Sequence, residues 1–138
     1  MNMKRMALAS LAVFGVFFVV DGVVNNVLLA DLYKQTASVW RPESEIQGNM
    51  WLMWLGTLIL APLFALIYTK GYEANKPGLG QGVRYGLIVG LLLSAPQCLV
   101  WYAVLPIPAV LPVWWFAAGM VESIAAGAAA GLIYRPVS

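Results

Sequence analysis

Residues 82–104 read GVRYGLIVGLLLSAPQCLVWYAV, and this stretch decides the fold. A helix that crosses the ~30 Å hydrocarbon core of a bilayer needs about 20 consecutive, mostly apolar residues. The stretch meets this length, and Arg84, near its start, is its only charged residue. It therefore predicts a transmembrane helix.

Three further stretches have the same apolar character. The 138-residue chain is 62% hydrophobic and 10% charged, against roughly 25% charge in a soluble domain, so it lacks the charges needed for a water-soluble surface. We predict an all-α integral membrane protein in which residues 1–138 form a single domain, a bundle of four transmembrane helices. The predicted spans are residues 6–30, 49–68, 82–104 and 112–134.

The first apolar stretch also resembles the start of a secretory signal peptide, because Lys4 and Arg5 precede it. It continues past Asp21, however, and is longer than the apolar region of a signal peptide. We therefore expect it to be retained as the first transmembrane helix.

Basic residues are distributed unevenly between the two ends of the predicted bundle. Cytoplasmic loops of membrane proteins carry an excess of Lys and Arg. This rule predicts that both termini and the connection between the second and third helices are cytoplasmic, and we expect a bacterial inner (plasma) membrane. Lys4, Arg5, Lys70, Lys76, Arg84 and Arg135 lie on the predicted cytoplasmic side, and Lys34 and Arg41 lie on the other.

The chain contains no histidine and one cysteine, Cys98. The commonest haem and zinc ligand is therefore absent, and a site with several cysteines cannot form within one chain. Met50, Met53 and Met120 are possible copper ligands, but only the first two share a helical spacing, so we expect methionine to fill the core. No cofactor or metal is expected, and the scattered basic residues do not predict nucleic-acid binding.

Small residues recur at every fourth position of the third and fourth predicted helices. Residues four apart lie on nearly the same helix face, and in lipid a strip of small residues lets two helix backbones approach closely. We expect these strips to pack against each other or against a second copy of the chain. The first strip is Gly78, Gly82, Gly86, Gly90 and Ser94, and the second is Gly119, Ser123, Gly127 and Gly131.

Each predicted span also carries a polar residue at a similar depth. Asp21 and Glu122 each lie about ten residues from the same end of the bundle, which corresponds to a depth of ~15 Å. An ionisable group inside a membrane is by default a functional candidate, while a Glu that hydrogen-bonds across a helix interface is the structural alternative. The candidate proton, cation or ligand site comprises Asp21, Asn25, Thr57, Ser94, Gln97, Glu122 and Ser123.

These features lead to three functional hypotheses. The first is a non-enzymatic membrane protein that acts as a homo-oligomer, or as an accessory subunit of a larger complex, through its small-residue helix faces. The second is a small transporter or channel for protons, cations or a small solute that uses the carboxylate pair. A lipid-modifying enzyme ranks last, because the chain has no histidine and no cluster of polar residues at a membrane interface, and enzymatic activity is not expected.

Overall fold

A computed structural model describes residues 2–134, and all elements within this range are helical. Arg135, which contributes to the predicted charge asymmetry, lies outside the described residues. Each long helix runs antiparallel to the one before it in the chain. Two short α-helices lie in the first connection. The elements are α1 (Met3–Val23), α2 (Ala30–Gln35), α3 (Glu43–Gly48), α4 (Met50–Lys70), α5 (Gly78–Val104) and α6 (Val110–Ile133).

Four helices are long and apolar enough to cross a membrane. They are Met3–Leu28, which joins α1 to a π-helical turn, and helices α4, α5 and α6. The predicted spans match them closely, and the largest difference is that α5 begins at Gly78 rather than at residue 82. The side chain of Gln81 explains this, because it hydrogen-bonds to the backbone of Glu73 and Lys76 and holds the first turn of α5 against the preceding connection.

The helices pack as two pairs joined through α1 and α6. Helix α5 packs along α6, α6 also contacts α1, and α1 contacts α4. We call the end with Met3, Ile133 and the 71–77 connection the terminal end, and the opposite end the distal end. The main core lies toward the terminal end and contains Val13, Phe17, Phe64, Tyr68 and Ala126 among its buried residues.

The two small-residue strips face each other within one chain. A Cβ atom added to Gly82, Gly86 or Gly127 would collide with backbone atoms of the opposite helix. Toward the distal end the glycines face side chains of the opposite helix instead of its backbone. Gly90 faces Met120 and Ser123, and Gly119 faces Ser94. The strips are therefore occupied by the α5–α6 interface.

Helices α4 and α5 meet only toward the terminal end. There the Tyr85 hydroxyl donates a hydrogen bond to the Phe64 carbonyl oxygen at 2.6 Å, and the two rings are 4.8 Å apart. Toward the distal end, residues 50–60 of α4 and 91–104 of α5 include no buried residue. The bundle is thus open between α4 and α5 toward its distal end, while Leu29 and Leu111 of other segments are fully buried there.

Candidate functional site

A cavity of about 340 Å³ lies near the distal end, where the bundle opens. Helices α1, α5 and α6 supply most of its lining, and Trp40 of the first connection covers it. Its lining includes five of the seven residues of the predicted polar site. They are Asp21, Asn25, Ser94, Gln97 and Glu122.

The carboxyl groups of Asp21 and Glu122 meet in this cavity. Both residues line it, and they lie close enough to interact electrostatically, although they come from the first and last long helices. A hydrogen bond between two carboxyl groups requires that one of them carry a proton. The buried Oε2 atom of Glu122 has no hydrogen-bond partner among the described residues. A proton shared between the two carboxyl groups, or a bound cation, would supply one.

Two residues of the predicted site lie elsewhere. The Thr57 hydroxyl donates to the Met53 carbonyl oxygen of its own helix at 3.2 Å, and Thr57 does not line the cavity. Ser123 is buried, with 2% of its surface exposed, against Gly86 and Gly90 of α5. Helix α4 therefore contributes no side chain to the lining of the cavity. Residue counting gives the depth of a side chain but not the direction in which it points around its helix.

A π-helical turn follows Asp21 and positions Asn25 at the cavity. The turn spans Val24–Leu28, and the Leu29 amide donates to the Val24 carbonyl oxygen, five residues earlier, at 2.8 Å. Turns of this kind are rare and frequently occur at functional sites. The Asn25 amide nitrogen donates to the Asp21 carbonyl oxygen at 2.9 Å, which fixes the side chain next to the carboxyl pair.

The Tyr33 hydroxyl links the first connection to α6 and to the π-helical turn. The Tyr33 hydroxyl donates to Asn25 Oδ1 at 2.6 Å and accepts from Trp115 Nε1 at 2.8 Å. Burial raises the pKa of Tyr33, the hydrogen bond from Trp115 lowers it, and the charge of Asp21 raises it. The net increase keeps the hydroxyl protonated and able to donate to Asn25.

Three indole rings surround the polar part of the cavity. Trp40, Trp101 and Trp115 all line it, and the rings of Trp40 and Trp115 lie 6.0 Å apart at 72°. Trp40 Nε1 donates to the Thr36 hydroxyl at 2.8 Å. Sequence reasoning missed Tyr33 and the role of these tryptophans, because the same residues are typical of membrane–water interfaces.

Comparisons with protein-family models, curated proteins and solved structures find no match to this chain. The functional inference therefore rests on the geometry of the cavity.

Proposed function

We propose that the protein is a small membrane transporter or channel that binds a proton or a small cation at the Asp21–Glu122 pair. In this proposal the four long helices cross a bacterial inner membrane with both termini in the cytoplasm, as the basic residues favour. The distal end, with its cavity, then faces the outside.

The single observation that carries this proposal is the meeting of Asp21 and Glu122 in a cavity with no basic residue in its lining. Two carboxylates this close repel each other unless a proton or a cation lies between them. Two further titratable groups lie near the pair: Tyr33 interacts electrostatically with Asp21, and Cys98 lines the cavity.

The assembly hypothesis was based on the two small-residue strips. These strips pack against each other in the same chain, so they do not offer a surface to a partner. A homo-oligomer or an accessory subunit would need a different surface. The exposed apolar residues of α4, such as Trp51 and Leu58, offer one. Native mass spectrometry in a mild detergent tests this second candidate, since a chain that remains monomeric and without a partner contradicts it.

The transport proposal is tested with purified protein in vesicles under an imposed pH or cation gradient. We expect wild-type protein to dissipate the gradient, and we expect Glu122→Gln and Asp21→Asn to abolish the flux without loss of folded protein. Glu45→Gln is the matched control, because Glu45 is exposed in α3 and pairs only with the exposed Arg41 among the described residues. Absence of flux of protons or of any tested cation in wild-type vesicles contradicts the proposal.

A further inference from the structure

We propose that the ligand of the cavity is a small organic ammonium ion, held against the indole rings of Trp40, Trp101 and Trp115 and neutralised by Asp21 and Glu122. This inference rests on the proposed function and names the chemical class of its cation.

The lining of the cavity selects for positive charge. It includes two carboxyl groups and no Lys or Arg, and the buried Oε2 of Glu122 has no hydrogen-bond partner among the described residues. An anion would meet the two carboxyl groups with no basic side chain to compensate. A cation would neutralise the pair, and an N–H or O–H group on it would supply the hydrogen bond that this oxygen lacks.

Two of the three tryptophans have indole N–H groups that are already bonded within the protein, so their rings remain for contact with a ligand. Trp40 Nε1 is bonded to Thr36, and Trp115 Nε1 is bonded to Tyr33. Trp101 of α5 adds a third indole to the lining. Because the face of an indole carries partial negative charge, tryptophan is the best aromatic partner for a cation, and aromatic cages of this type recognise quaternary ammonium groups.

The donor set and the size of the cavity favour an organic cation over a metal ion. Within residues 2–134 no three His, Cys, Asp or Glu side chains converge in a way that could hold a metal. A volume of about 340 Å³ is near the lower limit of ligand cavities, about 300 to 1,000 Å³. It suits a small ligand whose apolar groups contact the indoles while its charge faces the carboxyl groups.

Binding to the full-length protein in lipid nanodiscs is measured by isothermal titration calorimetry. The probe is choline, and its uncharged isostere 3,3-dimethyl-1-butanol is the matched control ligand. We expect choline to bind wild-type protein and the isostere to give no saturable signal. Equal binding of both compounds would overturn the inference, because it would show that charge contributes nothing.

The contribution of the indoles is tested with Trp101→Leu. Trp101 is 42% exposed, so we expect the variant to fold, and loss of one cation–π contact predicts about 3- to 30-fold weaker choline binding. Trp114→Leu is the matched control, because Trp114 is 40% exposed on α6 but does not line the cavity. Similar losses in both variants would contradict the proposed site.

Cys98 provides a second readout, because it is the only cysteine of the chain and lines the cavity. We expect choline to slow the reaction of Cys98 with a maleimide in wild-type protein, and to do so less in Trp101→Leu at the same concentration. If saturating choline leaves the labelling rate of Cys98 unchanged, choline does not bind in this cavity.

The two proposals fail in different ways. If K⁺ or proton flux requires Asp21 and Glu122 while choline neither binds nor inhibits it, the ammonium inference is wrong and the proposed function stands. If Glu122→Gln and Asp21→Asn leave choline binding and every flux unchanged, both proposals are wrong.

Discussion

Gly82 and Gly127 face each other across the α5–α6 interface so closely that a Cβ atom on either would collide with the carbonyl oxygen of the other. This reciprocal contact brings two helix backbones together with no side chain between them. In lipid, where hydrophobic burial drives helix association only weakly, such close packing supplies the dispersion contacts that hold the pair.

Gly82→Ala and Gly127→Ala should each destabilise the protein by at least about 1 to 3 kcal/mol, because backbone atoms must move to make room for the methyl group. The midpoint of thermal unfolding in detergent measures this. Gly56→Ala is the control, since a Cβ on Gly56 meets nothing within 4 Å. It should be neutral or stabilising by up to about 1 kcal/mol, as expected for alanine in a helix. An equal loss in all three variants would contradict the packing described above.

Gly90→Ala should be tolerated better than Gly82→Ala. A Cβ on Gly90 would lie 3.0 Å from Met120 Sδ and 3.1 Å from Ser123 Cβ, and the methionine side chain is flexible enough to move aside. We expect a loss of about 1 kcal/mol in the same measurement, the low end of the cost of overpacking a core. A larger loss than that of Gly82→Ala would show that the distal part of the interface is the more rigid one.

Tyr33→Phe should loosen the first connection from α6. It removes one hydroxyl that serves both Asn25 and Trp115, and each polar group left without a partner costs about 1 to 3 kcal/mol when buried. We expect a lower unfolding midpoint and faster proteolysis within residues 36–49. Tyr102→Phe is the control, because Tyr102 is 50% exposed and should give neither change.

As the pH rises above 10, the stability of the wild type should fall more steeply than that of Tyr33→Phe. Burial is the main reason that the pKa of Tyr33 is raised above 10.0, so the folded protein holds this proton more tightly than the unfolded chain does. The resulting stabilisation is fully present below pH 10 and is lost as the pH rises through the raised pKa. Unfolding midpoints from pH 8 to 11.5 test this, and parallel curves for the two proteins would contradict it.

Gln81→Leu should destabilise the terminal end of α5. Gln81 is 7% exposed, and its amide makes three hydrogen bonds to the backbone of Glu73 and Lys76. Loss of these bonds is expected to cost about 1 to 3 kcal/mol, with faster amide hydrogen exchange in residues 73–82. Gln47→Leu, at an exposed position of α3, should leave both measurements unchanged.

The features that were predictable from sequence are those that depend on distance along the chain. Apolar length gave the long helices, and four-residue spacing gave the strips that meet at Gly82 and Gly127. The rotation of each helix about its axis depends on its partners, which is why Asp21 lies at the cavity and Thr57 does not. Tyr33 and Trp40 were missed for a related reason, because the path of the connection that carries them is determined by contacts with α6.

The pairing of Asp21 with Glu122 also sets an order of events during biosynthesis. About 100 residues separate them in the chain. At a synthesis rate of about 5 to 20 residues per second, Glu122 is added roughly 5 to 20 seconds after Asp21. Helices α1, α4 and α5 are complete before then, but the pair is not. A chain that stops before α6 therefore has three of its four long helices and no carboxyl pair, so only the finished protein carries the proposed site.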